Sequence, residues 1–230
     1  MALTRPAVFS LVPCKKAGYR TSLEDAEATT LVPPGHRFDQ GNMSAIVVDR
    51  ENRAITMPPG TAIGPGGIGK GLAADLVVSE LLALGATGAL VNVGGDLAAA
   101  GTPPSENGWT IVVEDPFNSE SGTTQLEIDG GGVATSSTLT RRWTRIRKAA
   151  HHIIDPSTGA PSDTDLAATT VIAPCGWLAE AHATAVILGG SSRFLDYCDG
   201  HRLDAVAVTR GRRTLAVDSL ASLFRWEPPV

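Results

Sequence analysis

Glu180 and Thr184 stand four residues apart in Ala179-Glu180-Ala181-His182-Ala183-Thr184-Ala185, so on a helix they share one face. A carboxylate beside a hydroxyl, with alanines around them, leaves room for a hard cation such as Mg²⁺. That ion uses few protein ligands and keeps positions for a substrate phosphate. The same spacing also suits a solvated glutamate and a threonine bonded back to a backbone carbonyl. His182 points off that face and reads as structural. A second constellation, His152-Ile153-Ile154-Asp155-Pro156-x-Thr158-Gly159, sets a histidine on a strand beside a turn. Its neighbour His151 must face the other side of that strand, so at most one of the pair serves a given site.

The third candidate is the stretch Gly64–Asp96, GPGGIGKGLAADLVVSELLALGATGALVNVGGD. A glycine-rich loop lets backbone N–H groups crowd around a phosphate, and a helix that starts there adds the positive end of its dipole. Gly64-x-Gly66-x-x-Gly69 matches the dinucleotide fingerprint in letters, but Thr61–Ile63 after Pro58-Pro59 makes a poor preceding strand. Gly64-x-x-x-x-Gly69-Lys70 nearly matches a P-loop, yet Gly71 stands where the metal-holding Ser or Thr is needed. The plain alternative is a turn that lets a helix pack tightly. Lys70, opening an otherwise apolar helix, is what could meet a phosphate.

Around these residues the elements alternate. Ser44–Val48 and Ala54–Met57 read as a hairpin, and Leu72–Leu84 as a helix. Leu72, Ala73, Leu76, Val77, Leu81 and Leu84 surround most of that helix, with Asp75 and Ser79 as a narrow polar stripe. It is expected to be mostly buried. Ala89–Val93 reads as a buried strand and Gly94-Gly95-Asp96 as a turn. Trp109–Val113 is a strand, Glu114–Thr124 a polar loop, and Gln125–Ile128 a further strand. A bend at Gly130–Gly132 leads into Val133–Thr135. Thr140–Lys148 is basic, and His151–Ile154 is a short strand. Leu166–Ala173 is a strong strand, Trp177–Leu188 a helix with Gly189 as its cap, and Arg193–Tyr197 helical. Ala205–Thr209 and Thr214–Val217 form a last hairpin. Several neighbours are hairpins, so the pattern predicts an α+β fold with a mixed or largely antiparallel sheet. Residues 1–41 show no clear period beyond a short helix at Ser22–Thr29.

The 230 residues suffice for one domain, and 43% hydrophobic with 19% charged content fits a globular protein. A net charge of -5 excludes a basic nucleic-acid-binding surface and is the wrong sign for a polybasic membrane contact. No apolar run is long enough for an integral membrane segment. Cys14, Cys175 and Cys198 are far apart with no CxxC, which favours a reducing, cytoplasmic setting.

Taken in order, GGIGKGLAAD, LVNVGGD, VATSS, HHIIDPSTGAP, the TVIAP strand and AEAHATA resemble the ApbE family of FAD:protein FMN transferases, over about Asn42 to Thr209. The resemblance implies a T-fold-like α+β structure that binds FAD and Mg²⁺. It implies transfer of the FMN half of FAD to a threonine hydroxyl of a target protein, with release of AMP. Carried over by position, Lys70 would contact FAD. Gly67, through its carbonyl, and Glu180 and Thr184 would hold Mg²⁺, with Glu180 in place of the aspartate of many relatives. His152 matches the histidine near the reacting phosphate. Gly95 and Asp96 match the strand-end turn, and Thr135 and Ser136 the flavin-side turn. The Gly64-Pro65 pair replaces an Asp-x lead into the loop. Residues 1–41 match poorly, so 42–230 is expected to form the flavin transferase domain, incomplete at its N-terminal side. Three activities fit this pattern: the transferase, an FAD pyrophosphatase giving FMN and AMP, and a truncated non-catalytic FAD-binding protein.

Overall fold

The computed structural model describes residues 45–58, 64–145, 148–217 and 219. The expected helix at Ser22–Thr29 lies outside them. The first hairpin joins β1 (Val47–Asp49) to β2 (Ala54–Thr56). A 3-10 turn, Pro65–Gly67, then leads into α1 (Gly69–Ala83). Strands β3 (Gly88–Val93) and β4 (Asp96–Gly101) form a hairpin. A longer one follows, β5 (Trp109–Asp115) with β6 (Asn118–Ile128). After β7 (Gly131–Ser137), a third hairpin pairs β8 (Arg142–Arg145) with β9 (Lys148–His151). The chain ends in β10 (Leu166–Ala173), α2 (Gly176–Gly189), a 3-10 turn at Ser191–Arg193, α3 (Phe194–His201), β11 (Asp204–Thr209) and β12 (Thr214–Ala216).

Six strands form one antiparallel sheet in the order β12-β11-β10-β7-β4-β3. Side chains alternate across it, and each face has its own cover. Ala134, Val171, Ala173, Ala205 and Ala207 meet Ala179, Ala183 and Val186 of α2, while Ala89 and Ala98 meet Ala74 and Val78 of α1. On the other face, Leu97 and Val133 pack against Ile111, Leu126 and Ile128 of the β5–β6 hairpin. The α+β, antiparallel expectation therefore holds.

Several local expectations do not. Beyond them, Leu97–Gly101, given no element by the sequence pattern, belongs to strand β4 and is paired on both sides. Glu114–Thr124 is largely strand, because β6 begins at Asn118 and its main chain pairs with β5 despite polar side chains. The helix α2 includes Gly189, and its cap is Gly190, at φ 71°. Finally, α1 is not mostly buried. Gly71, Ala74 and Val78 face the fold, but Leu76 is 63% and Leu84 77% exposed. A helix laid on a sheet is covered on one side only. Among the described residues, α1 packs on β3, β4, β7, α2 and the Pro65–Gly67 turn, all of which lie toward the buried side.

Candidate functional site

Neither of the two long helices that carry site residues supplies its own N-cap. Ile68 before α1 and Cys175 before α2 make no side-chain cap bond. The first-turn N–H groups of a helix need acceptors from somewhere, and here each helix borrows a carboxylate from the other. Glu180 of α2 accepts the Gly71 N–H through Oε2 at 2.9 Å. Asp75 of α1 accepts the Gly176 and Trp177 N–H groups through Oδ1 and Oδ2 at 2.7 and 3.0 Å. The exchange requires the two backbones to touch. A Cβ on Gly71 would lie 2.2 Å from the Gly176 carbonyl oxygen, and one on Gly176 would lie 2.8 Å from the Gly71 oxygen. Only glycine fits at this crossing.

The crossing brings the sequence candidates together. Glu180 is 4% exposed, against the expectation that would have left it on a solvated face. Its Oε1 lies 3.9 Å from Lys70 Nζ. Lys70, the second residue of α1, also pairs directly with Asp96 Oδ2. Asp96 is 1% exposed and opens β4 after Gly94 and Gly95, whose φ values of 62° and 96° turn the chain. Its Oδ1 accepts the Thr135 N–H at 3.3 Å, and Asn92 Oδ1 closes the turn on the Gly95 N–H at 2.8 Å. Lys70 thus joins α1, β4 and α2. Burial lowers its ammonium from the ordinary lysine value, against the pull of Glu180.

Thr184 lies one turn along α2 from Glu180. Its hydroxyl donates to the Glu180 carbonyl at 3.3 Å and shares a 3.0 Å bond with Ser136 Oγ. The back-bonded threonine therefore exists, but beside a buried glutamate. Thr135 and Ser136 sit inside strand β7, not in a turn, and alternate across it. Ser136 faces α2 and Thr184. Thr135 faces the opposite side, where its hydroxyl meets Thr170 at 2.8 Å. Gly67 is buried in the 3-10 turn that touches α2.

The expected strand His151–Ile154 does not form as one element: β9 ends at His151, and Ile154 makes an isolated bridge to Pro161. His151 is buried, with Nε2 on the Ser162 carbonyl at 3.0 Å. His152 follows β9, and its N–H donates to the Arg141 carbonyl at 3.2 Å. Burial first, then Arg141 and His151, lower the His152 imidazole to about 4, with Lys70 a smaller contributor. His182 bonds through Nδ1 to the Tyr197 hydroxyl at 2.9 Å, a structural role for α3 against α2.

These lowered histidines make stability depend on pH with a definite sign. Above about pH 6.5 the imidazoles are neutral in both states and contribute no slope. Below it the unfolded chain binds protons that folded His151, His152 and His182 resist, so stability falls, down to about pH 4 for His152. Thermal melts are expected to be flat from pH 8 to 7 and to drop between pH 6 and 4.5. His152→Gln should shallow that drop. An unchanged slope would show that His152 takes up its proton as readily in the fold.

Among the described residues, no group of three or more His, Cys, Asp or Glu gathers. One buried carboxylate, a hydroxyl and a nearby glycine turn form a sparse, all-oxygen set, which fits Mg²⁺ better than a metal that demands nitrogen or sulfur ligands. A recess of about 570 Å³ lies elsewhere, lined by Asp163, Thr164, Asp165, Thr209, Arg210, Gly211 and Arg213. Sequence reasoning missed Asp75, Gly71 and Gly176. The signal that could have found them is the lack of Ser, Thr, Asp or Asn at position 68 or 175 before either helix.

The ApbE family model matches residues 20–208. An FAD:protein FMN transferase of Klebsiella pneumoniae is 28% identical over 235 residues, covering 92% of this chain and 72% of that protein. The corresponding protein of Treponema pallidum is 31% identical over 196 residues, 80% of this chain and 54% of its own. That of Salmonella typhimurium is 28% identical over 160 residues, and the match spans 41% of its length. The ApbE protein of Thermotoga maritima superposes with a TM-score of 0.75 at 24% identity, over 96% of this chain and 72% of that one. The apo flavinyl transferase ApbE of Pseudomonas stutzeri gives 0.72 at 25% identity, over 95% and 69%. With the family pattern running through most of its length and its sheet and helices laid out as in solved ApbE structures, the chain belongs to the ApbE family.

Proposed function

We propose that this chain transfers FMN from FAD to a threonine hydroxyl of a target protein, with release of AMP. The observation that carries the reading is the buried Glu180, held between the α1 N-terminus and Lys70, with Thr184 one turn away. The names of the relatives supply the reaction class.

Attack of the acceptor oxygen on the flavin-side phosphorus forms one P–O bond and breaks the pyrophosphate bond, so that AMP leaves with the bridging oxygen. Such a displacement needs alignment and charge neutralisation more than covalent help. Lys70, at the positive end of α1, would hold the charge of the pyrophosphate. Gly67, Glu180 and Thr184 would hold Mg²⁺, which when bound neutralises phosphoryl charge. His152 takes the proton from the threonine hydroxyl. With its imidazole lowered to about 4 it is neutral near pH 7, so its ring nitrogen is unprotonated although weakly basic.

His152→Ala is expected to slow transfer about 100-fold or more, with little change in FAD affinity. The parent profile of kcat/KM should lack a limb near pH 6.5 that belongs to this histidine. Undiminished transfer by the variant would remove His152 from the reaction. For the reaction itself, the chain is mixed with FAD, Mg²⁺ and a candidate flavoprotein. A covalently fluorescent acceptor band with stoichiometric AMP supports transfer. AMP without a band means that water is the acceptor, and bound FAD with neither product means a binding protein.

A further inference from the structure

Asp75 takes no part in the chemistry just described, yet it is the counterpart of Glu180 in the exchange of caps. Its two carboxylate oxygens take two successive N–H groups of α2, at Gly176 and Trp177. Glu180 begins one turn further along the same helix. Asp75 itself is fixed nearly two turns into α1, the helix that carries Lys70. From this geometry we infer that Asp75 is a positioning residue for the cation site. It sets the height of α2 against α1, and so the distance of Glu180 and Thr184 from Lys70 and the Gly67 turn.

The contact is built for alignment. Gly71 and Gly176 let the backbones touch, so at that point no side chain interlocks to set the register of the two helices. Glu180 supplies a single bond across the crossing, and on binding a cation its carboxylate must serve both the metal and the Gly71 N–H. Asp75 supplies two bonds that no ligand competes for. It also places a negative charge at the positive end of α2, a favourable match. Removing it frees α2 at its N-terminal end while leaving Glu180 and Thr184 chemically intact. Groups that orient metal ligands without touching the ion typically change affinity by about 10- to 100-fold when lost.

The inference rests on the Mg²⁺ reading of Glu180 and Thr184, so the experiment tests both. The probe is Mn²⁺ alone, with free ion counted by electron paramagnetic resonance, on the full chain without FAD. Glu180→Gln and Thr184→Val report whether the cation site exists. Asp75→Ala and the milder Asp75→Asn, which keeps one acceptor oxygen, report on positioning. Asp165→Ala is the control for lost capping, since Asp165 accepts the Ser191 N–H at 2.9 Å after α2 ends, away from the crossing. The expected result is a dissociation constant raised about tenfold or more in Asp75→Ala, less in Asp75→Asn, and within twofold of the parent in Asp165→Ala. If both Asp75 variants stay within twofold while Glu180→Gln and Thr184→Val lose binding, Asp75 is only a structural cap and the inference is overturned. If Glu180→Gln and Thr184→Val also stay within twofold, the cation site falls, and the role of Asp75 with it. Should Asp75→Ala not fold, Asp75→Asn decides alone.

Discussion

Glu180→Gln is expected to leave the fold in place and to abolish nearly all flavin transfer. Glutamine keeps the length of the side chain, and its amide oxygen can still accept the Gly71 N–H that Glu180 holds at 2.9 Å. What it removes is the negative charge beside Lys70 and the only carboxylate of the proposed cation set. Cation-assisted charge stabilisation is worth several kcal/mol in such reactions. At about 4 kcal/mol the loss is roughly a thousandfold in rate. Glu180→Ala should show the same loss plus about 1–3 kcal/mol of destabilisation, because a buried N–H loses its acceptor. AMP release and thermal melts on the two variants separate the effects. A glutamine variant retaining a tenth of the parent rate would place the charge requirement elsewhere.

The second large effect falls on a residue with no side chain. Two opposing terms act on Gly71→Ala. Alanine is the better helix former by about 1 kcal/mol. Against that, the new Cβ would stand 2.2 Å from the Gly176 oxygen, 2.3 Å from its carbonyl carbon and 2.6 Å from the Trp177 nitrogen, all main-chain atoms that no rotamer change can move. The helices must part, and overpacking of this kind costs about 3 kcal/mol or more. The clash wins, so a net loss of about 2 kcal/mol or more is expected in chemical denaturation. Transfer should fall as well, since parting the helices draws Asp75 and Glu180 off their amides. Gly69→Ala is the matched control. Its Cβ would meet only the Pro65 Cβ, at 3.4 Å, and should cost little. Equal stability of the two variants would show that the close approach of α1 and α2 is not the constraint.

Much of the sheet and the long helices was legible in the residues, and the exceptions have physical causes. Leu166–Ala173 matched β10 at both ends because its apolar and β-branched residues suit a strand buried on both faces. Strand β4, DLAAAG, escaped because alanine and glycine have little strand preference; pairing with β3 and β7 makes it a strand. The outer leucines of α1 misled in the other direction, since apolar residues all round a helix suggest burial and not which side is covered. In the candidate site, Lys70 meets Asp96 and Glu180, and Thr184 meets Ser136, although Asp96 and Ser136 were marked by the family resemblance and not by their own spacing. Thr135 does not share the face of Ser136, a consequence of strand period that places one of any adjacent pair elsewhere. Asp75 read only as part of a narrow polar stripe because its partners, Gly176 and Trp177, lie 101 and 102 residues away.

Those separations bear on when the site can exist during synthesis. Gly71 and Glu180 are 109 residues apart. Everything between them must leave the ribosome before either helix has its cap. The glycine turn, Lys70 and Asp96 emerge early but enclose nothing until α2 arrives. Closing so long a loop is a slow, late step in folding. A nascent chain ending before α2 therefore lacks the carboxylate that caps α1 and the amides that Asp75 accepts. The mutual capping of α1 and α2 is thus set late, with α3, β11 and β12 still to follow.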